Sequence, residues 1–206
     1  MEGANLYDEE LKGLIPRMFS YLFNKIGAAD GDIEFSIKCS YMEIYMEKIS
    51  DLLDGKLTEI LILNFLAKKN NLQVKEGRTG IYVADATEVY VSNCEEMFQV
   101  MNSGQANRTV AATRMNAASS RSHSIFQVVI MQKNTKTDTT KVGQLYCCDL
   151  AGSEKVGKTE VKGVNLEEAK MINKSLSSLG NVINALTEAK KGGFIPYRDS
   201  KLTRVL

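Results

Sequence analysis

Two polar loops carry the residue types that handle phosphate. Asn116-Ala-Ala-Ser119-Ser120-Arg121-Ser122-His123-Ser124 crowds four serines, an asparagine, an arginine and a histidine into nine residues. Serine hydroxyls can ligate Mg²⁺, loop N–H groups can hold phosphate oxygens, and Arg121 offers a rigid fork for a carboxylate or phosphate. Asp149-Leu-Ala-Gly152-Ser-Glu154 supplies the complement. Asp149 can hold Mg²⁺ through water, Gly152 has an N–H able to meet a terminal phosphate, and Glu154 can pair with Arg121. Without context the first stretch reads first as a polar turn. His123 is the only histidine, and no acid–base partner for it is visible in the sequence, so it reads as structural.

A third pattern overlaps the second. Gly152-Ser-Glu-Lys-Val-Gly157-Lys158-Thr159 matches G-x-x-x-x-G-K-[ST] at every position. A phosphate-cradling loop of that type needs its helix to start at the Lys-Thr, so that N–H groups and helix dipole meet the phosphates. Here Glu160-Val-Lys-Gly163 intervenes and the helix signal waits until Asn165, so the context fails on the helix side.

The elements that must position these loops are legible from hydrophobic spacing. Val142 to Leu150 is a short apolar run ending in an acid, consistent with a buried strand. Asn165-Leu-Glu-Glu168 opens a helix with Asn165 as cap and Glu168 as capping-box partner. Ala169, Ile172, Leu176, Leu179, Ile183 and Leu186 form its apolar stripe, and Lys190-Lys-Gly-Gly193 ends it. Ile125 to Met131 reads as a strand joined to the 142–150 strand by a hairpin loop over 133–140. The two polar loops therefore leave neighbouring strands of one antiparallel pair.

Upstream, Pro16 suits a first helical position, and Met18, Phe19, Leu22, Phe23 and Ile26 make a stripe closed by Gly27. Ile33 to Tyr41 alternates as a strand that continues toward Leu53 as a helical turn or strand end. Residues 71–91 read as strands with a turn at Gly77-Arg-Thr-Gly80. Ser92-Asn-Cys-Glu95 reads as a capping box opening a helix that ends near Asn107-Arg108, with Gly104 close to its end. After Phe194, Asp199 or Ser200 caps a short C-terminal helix.

Composition sets the bounds. With 206 residues and 44% hydrophobic content the chain can bury one α/β core. A net charge of +1 supplies no global field for nucleic acid. Residues 141–206 nevertheless hold 11 Lys/Arg against 7 Asp/Glu, whereas the first 140 hold 15 against 18. That basic third suits an acidic partner, or is a solvated face. Cys39, Cys94, Cys147 and Cys148 contain no C-x-x-C pair, and adjacent Cys147 and Cys148 on a strand point to opposite faces. They read as free thiols of a reducing compartment, the cytoplasm. No signal peptide and no membrane span is legible.

Taken together these residues resemble the kinesin motor domain, of the conventional heavy-chain type. Asn116-x-x-Ser-Ser-Arg-Ser-His123 looks like switch I, Asp149-Leu-Ala-Gly-Ser-Glu154 like switch II, and Asn173-Lys-Ser-Leu-x-x-Leu-Gly180 like the relay helix. Pro196-Tyr-Arg-Asp-Ser-Lys-Leu-Thr-Arg204 looks like the microtubule-binding loop and following helix. The resemblance implies an α/β fold with a central mixed, largely antiparallel sheet flanked by helices on both faces. It implies ATP and Mg²⁺ as cofactors, microtubules as partner, a cytoskeletal location and a full-length protein dimeric through a stalk. Nucleotide would be held by Asn116, Ser119, Ser120, Asp149 and Gly152. Ser120 would ligate Mg²⁺, with Asp149 acting through water. Ser119 would hold the attacking water, and Gly152 N–H the γ-phosphate. Arg121 and Glu154 would latch the site shut. Lys155, Lys158, Lys174, Tyr197, Arg198, Lys201 and Arg204 would face tubulin, with Lys75 and Arg78 adding contacts. Two other readings stay open: a stand-alone switch using 152–159 as its phosphate loop, and a non-catalytic microtubule-binding fragment.

Departures from the family pattern carry expectations of their own. The family's phosphate-cradling loop would lie before Met1, and its last strand, helix and neck linker after Leu206. A sheet lacking those strands exposes edges and apolar faces, so the 206 residues alone should bind ATP poorly and tend to aggregate. Residues 55–66 are an extra apolar patch; deleting them joins Asp51-Leu-Leu-Asp54 to Ala67-Lys-Lys-Asn and restores the family spacing. Gly55-Lys56 and Phe65-Leu66 can be encoded with splice-donor-like and splice-acceptor-like ends. A retained intron or a genuine insert both account for this patch.

Overall fold

The computed structural model describes residues 10–54, 71–77, 80–115, 119–152, 164–188 and 193–206. The 55–66 patch lies outside them, as do Asn116, Arg78, Glu154, Lys155 and Lys158.

Strand β1 (Ile33–Tyr45) is the spine. Its odd positions Ile37, Cys39 and Tyr41 enter one core, and its even positions Met42 and Ile44 enter a second core on the opposite face. That is the period of two expected of a pleated strand covered on both sides. Along one edge β1 pairs with β2 (Lys48–Asp51) and, further up, with β5 (Val89–Val91). Along its other edge it pairs over twelve positions with β6 (His123–Asn134), which pairs in turn with β7 (Thr139–Asp149). A separate hairpin joins β3 (Val74–Gly77) to β4 (Gly80–Val83). Every described pairing is antiparallel. The outer edge of β7 has no partner among the described residues, and Met131 and Val142, paired across β6 and β7, are both exposed.

Helices cover both faces. Helix α1 (Leu14–Gly27) and helix α2 (Cys94–Met115) pack on the first core, where Phe19 touches the rings of Phe98 and Phe126. Pro16 is the third residue of α1 rather than the first. Helix α3 (Val164–Glu188) and helix α4 (Lys201–Val205) lie on the second core through Leu179, Leu202 and Val205. Ser200 caps α4 in a reciprocal box with Thr203.

Three local expectations are corrected. The segment after Tyr41 is not a helical turn: β1 ends at Tyr45, turns through Met46-Glu47 and returns as β2. The cap of α2 is Asn93, whose Oδ1 accepts the Glu96 N–H at 2.8 Å, while Glu96 reaches back to the Ser92 N–H. Finally, α2 does not stop at Arg108. It continues to Met115, and Gly104 sits mid-helix.

Met46 and Glu47 both lie in the left-handed region, at φ 47° and 58°. A two-residue hairpin of this twist favours Asn-Gly, because most side chains resist positive φ. Met46→Asn is therefore expected to stabilise the chain by about 0.5–1 kcal/mol, seen as a higher urea midpoint at unchanged slope. An unchanged or lower midpoint would show that Met46 repays its strain by packing.

Candidate functional site

The β6–β7 hairpin brings the two polar loops together. Ser124 stands opposite Asp149 in the ladder, so the chain entering β6 and the chain leaving β7 emerge side by side. The entering segment is a short 3-10 turn, Ser119–Arg121. The leaving segment is Leu150-Ala-Gly152. One backbone hydrogen bond ties them: Gly152 N–H donates to the Ser120 carbonyl oxygen at 2.8 Å. Ser120 is exposed and Gly152 half-buried.

Beneath this tie lies a charged knot. Arg108 comes from the buried face of α2, in register with Met97, Met101 and Gly104. Its Nη1 donates to Asp149 Oδ2 at 2.9 Å, its Nη2 to the Ser122 carbonyl at 3.1 Å, and its Nε lies 3.6 Å from Glu43 Oε1. The Ser122 hydroxyl donates to that same Glu43 oxygen at 2.7 Å. One guanidinium thus holds the base of each loop and a carboxylate of β1. The arms are not equal. The Arg108 and Glu43 side chains are only 5% and 12% exposed, whereas Asp149 is 58% exposed, so solvent screens the last pair.

A second knot binds the site to α3. Arg121 Nη1 donates to Glu168 Oε2 at 2.7 Å, and the Tyr45 hydroxyl donates to Glu168 Oε1 at 2.9 Å. Burial, and then the bond to Glu168, raise the Tyr45 pKa and keep it a donor. Glu168 was expected to cap α3; it is instead buried within the helix, with two partners outside it, because α3 begins at Val164 and puts Asn165 inside. Arg121 was expected to face Glu154, which is not among the described residues; here its guanidinium rests on Glu168. The expected apolar stripe of α3 is displaced too. Ile183 and Leu186 are exposed, and the buried face is Glu168, Ser175, Ser178 and Val182.

His123, at the head of β6, links all of this. Its Nδ1 accepts the Ala151 N–H at 3.0 Å, and its Nε2 lies 2.8 Å from the Ser175 Oγ of α3. Burial, and then the nearby Arg108 charge, lower its pKa, so the ring is neutral.

The oxygen donors suit a small hard cation. Ser120 offers an exposed hydroxyl and Asp149 an exposed carboxylate, while among the described residues no cluster of three His, Cys, Asp or Glu could hold a metal alone. Mg²⁺ fits such a half-set, since it takes one or two protein oxygens and completes its shell with water and phosphate. Ser119 opens the 3-10 turn.

The residues expected to face a filament fall on elements that pack together: Lys174 on α3, Tyr197 and Arg198 on the 3-10 turn Tyr197–Asp199, and Lys201 and Arg204 on α4. Lys174 and Arg198 are exposed, Lys201 and Arg204 half-buried. Arg198 lies 3.6 Å from Glu76 of β3, next to the exposed Lys75. The backbone N–H of Lys201 donates to Glu47 Oε2 in the β1–β2 turn.

The site roles of Arg108, Glu43, Glu168 and Ser175 escaped the sequence reading. Two left a signal: Glu43 is a charge inside an apolar strand segment, and Arg108 follows the 97, 101, 104 spacing of a helix face, visible once the helix is allowed to run on. Cys39, Cys147 and Cys148 behave as expected. All are free, Cys147 and Cys148 lie in opposite cores, and burial pushes the Cys39 thiol up to about 12. None of the described helices is long and apolar enough to cross a membrane.

The family model described as "Kinesin motor domain" matches residues 1–206. Kinesin-related protein 3 of Dictyostelium discoideum is 55% identical over 200 residues, covering 97% of this chain and 16% of that protein. The kinesin heavy chain of Syncephalastrum racemosum is 52% identical over 207 residues, covering 100% of this chain and 21% of that protein. A solved structure described as "Structure of a fast kinesin: Implications for ATPase mechanism and interactions with microtubules" superposes with a TM-score of 0.84 at 50% identity, over 100% of this chain and 55% of that one. The chain thus spans about a fifth of the length of these curated relatives.

Proposed function

We propose, from the premise that this chain belongs to the kinesin motor domain family, that it is the part of a microtubule motor ATPase that senses a nucleotide's last phosphate and reports it to the filament. The observation carrying this reading is the 2.8 Å bond between Gly152 N–H and Ser120 C=O, because a phosphate sensor needs these two groups within one hydrogen bond of each other.

The residue roles follow from that geometry. Bound MgATP supplies the charge that the two loops must neutralise and the bond that is cleaved. Asn116, Ser119, Ser120, Asp149 and Gly152 would line the nucleotide, with the Ser120 hydroxyl and, through water, Asp149 holding Mg²⁺. With nucleotide bound, the Gly152 N–H would exchange a neutral carbonyl acceptor for an anionic one, and charge-assisted bonds are roughly twice as strong. Ser119 orients the attacking water. Arg121 leaves Glu168 for Glu154, closing the loops and freeing the N-terminal turn of α3 to shift. Catalysis is then positioning and charge neutralisation around a loose phosphoryl transition state. Helix α3, rigid over roughly 37 Å, carries the change to Lys155, Lys158, Lys174, Tyr197, Arg198, Lys201 and Arg204, which meet tubulin's acidic face, and Lys75 and Arg78 add contacts. The whole protein acts in the cytoplasm and dimerises through a stalk.

Residues 1–206 alone are expected to pellet with microtubules beyond what sediments without them, and to bind ATP more weakly than about 1 mM, that is by less than about 4 kcal/mol, without turnover. Lys174→Glu with Arg198→Glu should weaken pelleting at least about tenfold, or 1.4 kcal/mol. Tight ATP binding abolished by Lys158→Ala would instead make 152–159 a stand-alone phosphate loop. Pelleting unaffected by the charge reversals would remove the filament role.

A further inference from the structure

Ala151 and Gly152 present consecutive N–H groups that are held from two sides. Gly152 donates to Ser120 C=O, while Ala151 donates to His123 Nδ1. An Nδ1 that accepts leaves the ring proton on Nε2. Nε2–H therefore donates to Ser175 Oγ at 2.8 Å, and the Ser175 hydroxyl in turn donates to the Ile172 carbonyl oxygen at 2.7 Å. Every donor in this relay meets one acceptor, from the loop after β7, through the head of β6, into the middle of α3. His123 and Ser175 are each 3% exposed, so no water substitutes for either, and hydrogen bonds aligned head to tail in a dry site strengthen one another.

We propose that His123 is a positioning residue that couples the Ala151–Gly152 loop to α3, holding the Ala151 N–H on one side and the helix at Ser175 on the other. The Arg121–Glu168 pair sits two helical turns toward the N-terminus. It opens when the loops close, whereas the His123 link has no reason to break, so it transmits a loop displacement to the rod rather than releasing it. The inference rests on the proposed role of the Gly152 N–H, but the link exists or fails without nucleotide or filament.

Because the chain has a single histidine, one imidazole accounts for the whole long-range proton–nitrogen spectrum of ¹⁵N-labelled 1–206. The expected result is one neutral ring protonated on Nε2; protonation on Nδ1 overturns the proposal. Amide hydrogen exchange then measures the coupling. Ser175→Ala removes only the far end of the relay, yet it should speed exchange at Ala151 at least about tenfold, 1.4 kcal/mol of lost protection. His123→Asn places Oδ1 where Nδ1 stood, so it should keep Ala151 protected while loosening α3 around Ile172–Ser178 about tenfold. Exchange at Ala151 unchanged within about twofold in Ser175→Ala would show that His123 merely fills space. Failure of ATP or microtubule binding would touch the proposed function and leave these readouts intact.

Discussion

Arg108→Ala is expected to cost the chain about 3–5 kcal/mol, a large share of the 5–15 kcal/mol or so that holds a domain folded. The cost is not spread evenly over its contacts. The exposed Asp149 can turn to water, so losing that arm costs about 1 kcal/mol or less. Glu43 cannot. It is buried in β1, and without the guanidinium it keeps only the Ser122 hydroxyl. The penalty is that of an uncompensated buried carboxylate, together with the unmet Ser122 carbonyl. Arg108→Lys should recover part, since one ammonium cannot reach the three acceptors of a planar fork. Glu43→Gln with Arg108→Met should recover more than half, because it removes the charge instead of stranding it. Urea midpoints of the four chains decide the matter. A single-mutant loss under about 1 kcal/mol would mean that water reaches Glu43.

The second large effect reverses an intrinsic preference. Glycine inside a helix is worth about 1 kcal/mol less than alanine, so Gly104→Ala in mid-α2 would ordinarily stabilise. Here a Cβ would stand 2.2 Å from Tyr41 Cδ1 and 3.0 Å from Cε1. The ring cannot retreat. It lies edge-on to Phe126 with centroids 5.4 Å apart, and its hydroxyl is fixed on Gln105 at 3.0 Å. Pushing α2 away instead would pull Arg108 out of the knot one turn later. The expected outcome is a net loss of about 1–3 kcal/mol, the usual cost of overpacking. Combining Gly104→Ala with Tyr41→Leu should return most of it. A stabilised single variant would prove that α2 slides freely over β1.

These two residues show where reading the sequence succeeds and where it stops. The apolar positions of α1, the alternation of β1, the β3–β4 turn and the Ser200 cap were all legible, because each is set by contacts within a few residues. So was the meeting of the polar loops. Strands joined by a tight turn pair antiparallel, and their outer ends must then arrive together. Helix ends were less legible. Gly104 and Asn107-Arg108 look like a stop, and only the pressure of Tyr41 explains a glycine that stops nothing. The registration of α3 slipped in the same way, since Asn165 and Glu168 form a plausible cap until the helix begins one residue earlier.

Residue type and spacing alone were enough to mark two polar loops that meet, the helix that follows them and the basic segment beyond, because those are patterns of neighbours along the chain. Which acid each arginine would choose, and which serine the histidine would reach, came from packing. Glu43 and Ser122 are 79 residues apart, and Tyr45 and Glu168 are 123 apart. No periodicity encodes such pairs; they exist because two sheet faces and three helices close over a small volume, where a buried charge must take whichever partner is within reach.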